Sequence, residues 1–191
     1  MDSATPHITR LHFLSQILAE HQIPVAYLPP NEDTGEMLLV TAAVMNGKVV
    51  PLRLIPLNDI IPQAKEGMAP LTAWLLHASL IFPFHIPDDR VTEVMRATQL
   101  VSRILPLCSL GVMEPDGACY LQACVAIEDV DAIPRAVLMD VIGMARMAAS
   151  TYGPALADIA AGTLSYAGFA KALEASGLMP PSLFSAPVTT A

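Results

Sequence analysis

Asn46-Gly47 constrains what this chain can fold into more than any other two residues in it. Ahead of it stands Met37-Leu-Leu-Val-Thr-Ala-Ala-Val-Met45, and behind it Lys48-Val-Val-Pro-Leu-Arg-Leu-Ile55. Asn-Gly between two such runs is the preferred type I′ turn, because both central residues must take positive φ. The segment is therefore a β-hairpin. Pro51 has no N–H to give a ladder, so the second strand should lie near an edge or carry a bulge.

A second hairpin follows the same logic. Leu107–Met113 and Ala118–Ile127 flank Glu114-Pro-Asp-Gly117, the chemistry of a type I turn closed by a left-handed residue. Between the hairpins, Leu71–Ile86 reads as a buried strand, although Leu71–His77 also fits a helix. The run Gly67–Pro87 holds no Asp, Glu, Lys or Arg, which raises a membrane span. Its prolines, 70, 83 and 87, and the polar Thr72, His77, Ser79 and His85 favour a central strand instead.

Helical spacing accounts for most of the remainder. Leu11, Leu14, Ile17 and Leu18 mark a helix over Thr9–Gln22, followed by a short strand at Val25–Leu28. Pro87-Asp88-Asp89 is an acidic opening for a helix running to Leu105, stopped by Pro106. A long helix spans Asp131–Thr151, with Pro134 in its first turn and a break at Tyr152-Gly153-Pro154. A short helix ends at Gly162, and Ser165–Ala175 forms the last, ended by Gly177. Asn58–Pro70 is a proline-punctuated loop. The expected fold is α+β: an antiparallel sheet built from two hairpins plus an additional strand, packed with helices, with a C-terminal helical extension. Residues 1–177 form a single domain and 178–191 an extended tail.

Composition bounds the function. With 191 residues, 53% hydrophobic and 15% charged, size scaling predicts burial of about 70% of the unfolded surface without metal or disulfide. A mean hydropathy of +0.50 is high for a chain that must coat its own surface, so part of it should meet a partner or a second copy. Ten basic residues, dispersed singly, against 18 acidic ones give a net charge of −8, which opposes binding to phosphate backbones or anionic lipid. Cys108, Cys119 and Cys124 are odd in number and lack CxxC spacing. The opening Met-Asp-Ser-Ala-Thr-Pro offers no basic segment followed by an apolar one. Both features predict a cytoplasmic protein.

No reaction is encoded in a recognisable motif. The sequence has no GxGxxG, no GxxxxGK[ST], no HExxH and no GxSxG. His77 and His85 could share a strand face, but two histidines without a third ligand read as structural. Asp88/Asp89 and Glu128/Asp129/Asp131 precede helices, where capping explains them. Trp74 reads as core. The expectation is no enzyme activity, no cofactor and no metal.

Two surfaces suggest binding instead. The helix over Asp131–Thr151 is apolar beyond one stripe: Val137, Leu138, Val141, Ile142 and Ala145 on one side, Met139, Met144 and Met147 toward others. Methionines suit adaptable interfaces. Alternatively, one side packs on the sheet and the C-terminal helices cover the other. Separately, the strand after Asn46-Gly47, with Val49 and Leu52, could accept an added strand from a partner.

From about Leu71 to Gly162 the chain resembles the YbjN-like family, whose fold is shared with type III secretion chaperones. The match is the strand into helix over Ile81–Ile104, the Leu110-Gly111-Val112 strand, the Pro115-Asp116-Gly117 turn and the strand to Ile127. An acidic linker and long helix follow, ending in Tyr152-Gly153-Pro154-Ala155-Leu156, similar to a Tyr-x-Pro-x-Leu pattern. The Asn58–Pro70 loop and the C-terminal helices depart from the family. The resemblance implies a non-enzymatic, often dimeric protein that holds another protein's extended segment. The expected role is thus a chaperone-like or adaptor module, a homodimer or a subunit of an assembly, with no nucleic-acid partner. A structural subunit of a larger assembly is the alternative, and a small-molecule binder or enzyme with an unrecognised pocket is the second.

Overall fold

Runs rich in apolar and β-branched residues, bounded by turn chemistry, draw six strands into one sheet, one face of which the helices cover. The computed structural model describes residues 5–30, 35–57, 74–127 and 135–179. The strands are β1 (Val25–Leu28), β2 (Met37–Met45), β3 (Lys48–Pro56), β4 (Trp74–His85), β5 (Ser109–Met113) and β6 (Ala118–Ile127). Their order is β1-β2-β3-β4-β6-β5, each neighbouring pair antiparallel. The expected α+β class with an antiparallel sheet is what the chain forms.

Both turns follow their residues. Asn46 and Gly47 take φ of 50° and 75°, and Gly117 takes 56°. In the second turn the closing bond runs from Asp116 N–H to Met113 C=O, one residue earlier than Glu114-Pro-Asp-Gly117 suggests. Gly117 is thereby left to accept from Ile86 N–H at 2.7 Å, tying the β5–β6 turn to the end of β4.

β3 is not an edge strand. It pairs with β2 on one side and, from Leu52↔Leu80 to Pro56↔Leu76, with β4 on the other. Pro51 is tolerated because the β2–β3 register shifts between Thr41 and Ala43, next to the Thr41↔Pro51 pair. The extra residue, Ala42, makes the bulge the proline requires. Trp74–His77 belong to β4, so the helical reading of that stretch is corrected there. Leu71–Ala73, the Asn58–Pro70 loop, the Glu128–Pro134 stretch and the tail after Met179 lie outside the described residues, as does the side chain of Trp74.

The helices are α1 (Thr5–Glu20), α2 (Val91–Ile104), α3 (Arg135–Met147), α4 (Gly153–Ala160) and α5 (Tyr166–Ala175). Pro87-Asp88-Asp89 leads into a single 3₁₀ turn, Asp88–Arg90, before α2. No side chain caps it; Asp89 lies 3.5 Å from Arg90 instead. Ser165 caps α5, accepting from Gly168 N–H at 3.1 Å. Gly162 and Gly177, at φ of 75° and 68°, stop α4 and α5 as expected. On α2, Arg96 stacks 4.1 Å over the ring of Tyr166 and Glu93 accepts from Tyr166 N–H, which docks α5.

Tyr152-Gly153-Pro154 does not break the long helix. Ala148–Tyr152 forms a π turn in which Gly153 N–H reaches back five residues to Ala148 C=O, and the chain continues directly into α4. Pro154 falls in the first turn of α4, where its missing N–H is not needed. The wider turn absorbs the proline that a regular α-helix could not. Gly153 meets the sheet closely: a Cβ there would stand 2.8 Å from Met45 Cε and 3.2 Å from Phe82 Cε1.

The core lies between this layer and one sheet face. Leu38, Val40, Leu52, Leu54, Leu76, Leu80, Phe82, Cys119 and Leu121 meet Leu14, Ile17, Val94, Val101, Leu138, Ile142 and Leu156, all buried. Each large aliphatic side chain so buried contributes about 1.5–3 kcal/mol.

Candidate functional site: the uncovered sheet face

If Leu38, Val40, Leu52, Leu54, Leu76, Leu80, Cys119 and Leu121 face the helices, the residues between them must point the other way. Those are Met37, Leu39 and Thr41 of β2, Arg53 and Ile55 of β3, and Leu75, His77, Ser79 and Ile81 of β4. Tyr120, Gln122, Cys124 and Ala126 of β6 join them, with Ser109, Gly111 and Met113 of β5. All the helices of the described residues belong to the opposite layer, through the buried cluster above. Among the described residues, this second face is half-buried by its own neighbours alone. Ile81 is 38% exposed, and Val44 and Val49, paired across the hairpin tip, are 64% and 59% exposed.

The face has an ordered chemistry. One rung across the strands reads Leu39, Arg53, Ser79, Gln122, Ser109. The next reads Ile55, His77, Cys124. Another reads Ile81, Tyr120, Gly111. On that third rung a Cβ at Gly111 would lie 2.6 Å from Tyr120 Cζ and Oη, so the phenol ring lies flat over the glycine and widens the apolar floor. None of the 18 acidic residues of the chain stands at these positions, and Arg53 is the one full charge.

The residues singled out from sequence distribute unevenly. Val49 is exposed at the hairpin tip, on the uncovered face. Leu52 is 0% exposed, held under the helices, so the strand-addition surface it was to serve does not include it. Met147 is 41% exposed on the outside of α3. Met139 and Met144 are half-buried and pack against the core. Leu138, Val141, Ile142 and Ala145 form the one buried stripe of α3. The helix is thus amphipathic, with its continuation α4 beyond it and α5 docked elsewhere, on α2.

Other candidates stay apart. His77 pairs with Cys124 in register, whereas His85 stands beyond a register shift with Nδ1 3.2 Å from Asp116 C=O. No group of three or more His, Cys, Asp or Glu among the described residues could hold a metal. All three cysteines are free. Burial pushes Cys108 up to about 11 and Cys119 up to about 12, so neither is a ready nucleophile; Cys124 is exposed. A depression of about 390 Å³ lies between the β2–β3 tip and the π turn, lined by Ala42, Ala43, Val44, Arg146, Ala149 and Asp158 among others. Arg146 Nε donates there to Thr41 C=O at 3.3 Å, closing the bulge against α3. No helix among the described residues is long and apolar enough to cross a membrane.

Fold and site together define an α+β molecule whose sheet, among the described residues, is covered on one side. No protein-family model matches the chain, and no curated protein does.

Proposed function

We propose that this chain is a non-enzymatic protein-binding module of the chaperone-like or adaptor kind, and that it takes its partner on the uncovered sheet face. The observation that carries the reading is that face itself: among the described residues, a broad, largely apolar surface with one cation and no anion, in a chain of net charge −8. Contiguous apolar surface of this extent marks a contact with another macromolecule. The lack of a basic cluster argues for polypeptide over nucleic acid. Three free cysteines support a reducing, cytoplasmic setting.

Site-specific photo-cross-linking tests it. A photoreactive residue at Ile81, on the uncovered face, should join a polypeptide in the producing cells. The same residue at Val137, 37% exposed on α3, should not. Equal yields at both positions, or no adduct at Ile81, would reject the reading.

A further inference from the structure

We infer that the occupant of the uncovered face is an amphipathic helix of a partner polypeptide, with one carboxylate set midway along its apolar side to meet Arg53. The inference rests on the docking role of that face and names the chemistry that fills it.

Backbone hydrogen bonding selects the helix. β2, β3, β4 and β6 each pair on both sides, so their N–H and C=O groups are taken up inside the sheet and the face offers side chains alone. An extended segment laid across it would press its own N–H and C=O groups against apolar side chains without partners, an arrangement that buried backbone avoids. A helix pairs those groups internally and presents only side chains, as the helices on the opposite face already do.

Charge selects the carboxylate. Arg53 is exposed, and its guanidinium has no ion pair or hydrogen bond among the described residues. Any layer that covers it removes its water, and a guanidinium buried without a counter-charge carries a high desolvation cost. The same face of a second copy holds no Asp or Glu, so two copies packed sheet to sheet would leave both guanidinium groups uncompensated. A carboxylate on an incoming helix meets the fork of donors with two parallel bonds.

Register sets the spacing. The polar rung of Leu39, Arg53, Ser79 and Gln122 lies between the rung of Ile55, His77 and Cys124 and the rung of Ile81 and Tyr120. Successive rungs on one face are two residues, or about 6.6 Å, apart. Positions four apart on a helix advance about 6 Å, so a helix running with the strands keeps step with them. The helix that fits has Asp or Glu at one position and large apolar residues four before and four after it. β3, nine residues long, runs about 30 Å, the length of about 20 helical residues.

The Ile81 photo-adduct carries the test. Mass spectrometry of its digest should place the cross-link in a partner segment with that pattern. The same segment, made as a synthetic peptide, should gain helical far-ultraviolet circular dichroism when the full chain is added. Arg53→Glu sets like charges against each other and should lower the adduct yield about tenfold or more, with the chain's own circular dichroism unchanged. Arg53→Gln should lower it in part, and Arg53→Lys should keep most of it. Exchanging the partner's acidic residue for Lys should restore the yield in Arg53→Glu. An adduct indifferent to Arg53→Glu overturns the inference. So does a cross-linked segment that lacks a carboxylate or stays extended on binding, or one that belongs to a second copy of this chain. In each of these cases the docking role stands. No adduct at Ile81 rejects the docking role, and the inference with it.

Discussion

Gly117→Ala and Gly143→Ala add the same methyl group, and the structure requires them to act in opposite directions. Gly117 sits at φ 56°, where a left-handed conformation costs a residue with Cβ about 1–2 kcal/mol. The new Cβ would also lie 2.5 Å from His85 Cε1 and 2.6 Å from the carbonyl oxygen of Ile86. The imidazole can swing away, but the carbonyl belongs to the chain whose Ile86 N–H donates to Gly117 C=O. Backing off weakens that bond, a further loss of about 0.5–1.5 kcal/mol. Together these give about 1.5–3.5 kcal/mol of destabilisation, or a fall in Tm of roughly 3–14 °C for a chain of this size. Gly143 lies on the exposed side of α3 with nothing within 4 Å of its Cβ position. Alanine there should stabilise by about 0.5–1 kcal/mol through helix propensity. Urea denaturation of the two variants beside the parent chain measures both. If Gly117→Ala costs less than about 1 kcal/mol, or both changes move stability the same way, the placement of the β5–β6 turn against β4 is wrong.

Other outcomes follow from burial and capping. Leu52→Ala should cost about 2–5 kcal/mol because its side chain is enclosed, whereas Val49→Ser at the tip should stay within about 0.5 kcal/mol; denaturant midpoints separate them. Ser165→Ala removes the cap of α5 and should cost about 1 kcal/mol, read as earlier local exchange of the Gly168 amide. In native protein a maleimide should label Cys124 alone, with Cys108 and Cys119 reacting only in urea. Burial raises those two thiols to about 11 and about 12, so their contribution to stability is whole below the ordinary thiol range near 8.5 and is lost as pH climbs through the raised values. Urea midpoints taken below that range and then above it should fall with pH, less so in Cys119→Ala.

What was legible in the sequence was whatever is decided within a few residues. Asn46-Gly47, Gly162 and Gly177 act through their own φ, and the turn and both helix stops stand where those residues put them, while the second turn keeps Gly117 at positive φ but closes one residue early. The errors arise where a neighbour distant in sequence decides. Pro51 was compatible with an edge or a bulge, and only the arrival of β4 beside β3 selects the bulge. Pro154 looked like a helix end because a proline costs a regular helix its i−4 bond. Packing of Gly153 against Met45 and Phe82 keeps the helix running, and the π turn takes up the mismatch. Leu52 looked available because Pro51 marked its strand as an edge, and the correction to one follows from the correction to the other.

The candidate site was hidden by the same apolar content that revealed the fold. A strand with one wet face reads as strict alternation, but Leu75 and Ile81 stand at wet-face positions, so β4 reads as a strand buried on both sides. In the sequence that excess of apolar residues was therefore assigned to the core, and the surplus was sought on the helix with Met139, Met144 and Met147. The helix instead buries one ordinary stripe, and the surplus lies on the sheet. A strand buried on both sides needs two covering layers, and among the described residues the chain supplies one. The second layer is what the Ile81 cross-link looks for: if that side of β4 stays wet in the working protein, the surplus has no use, and β4 would tolerate Lys at 81 without loss of any interaction.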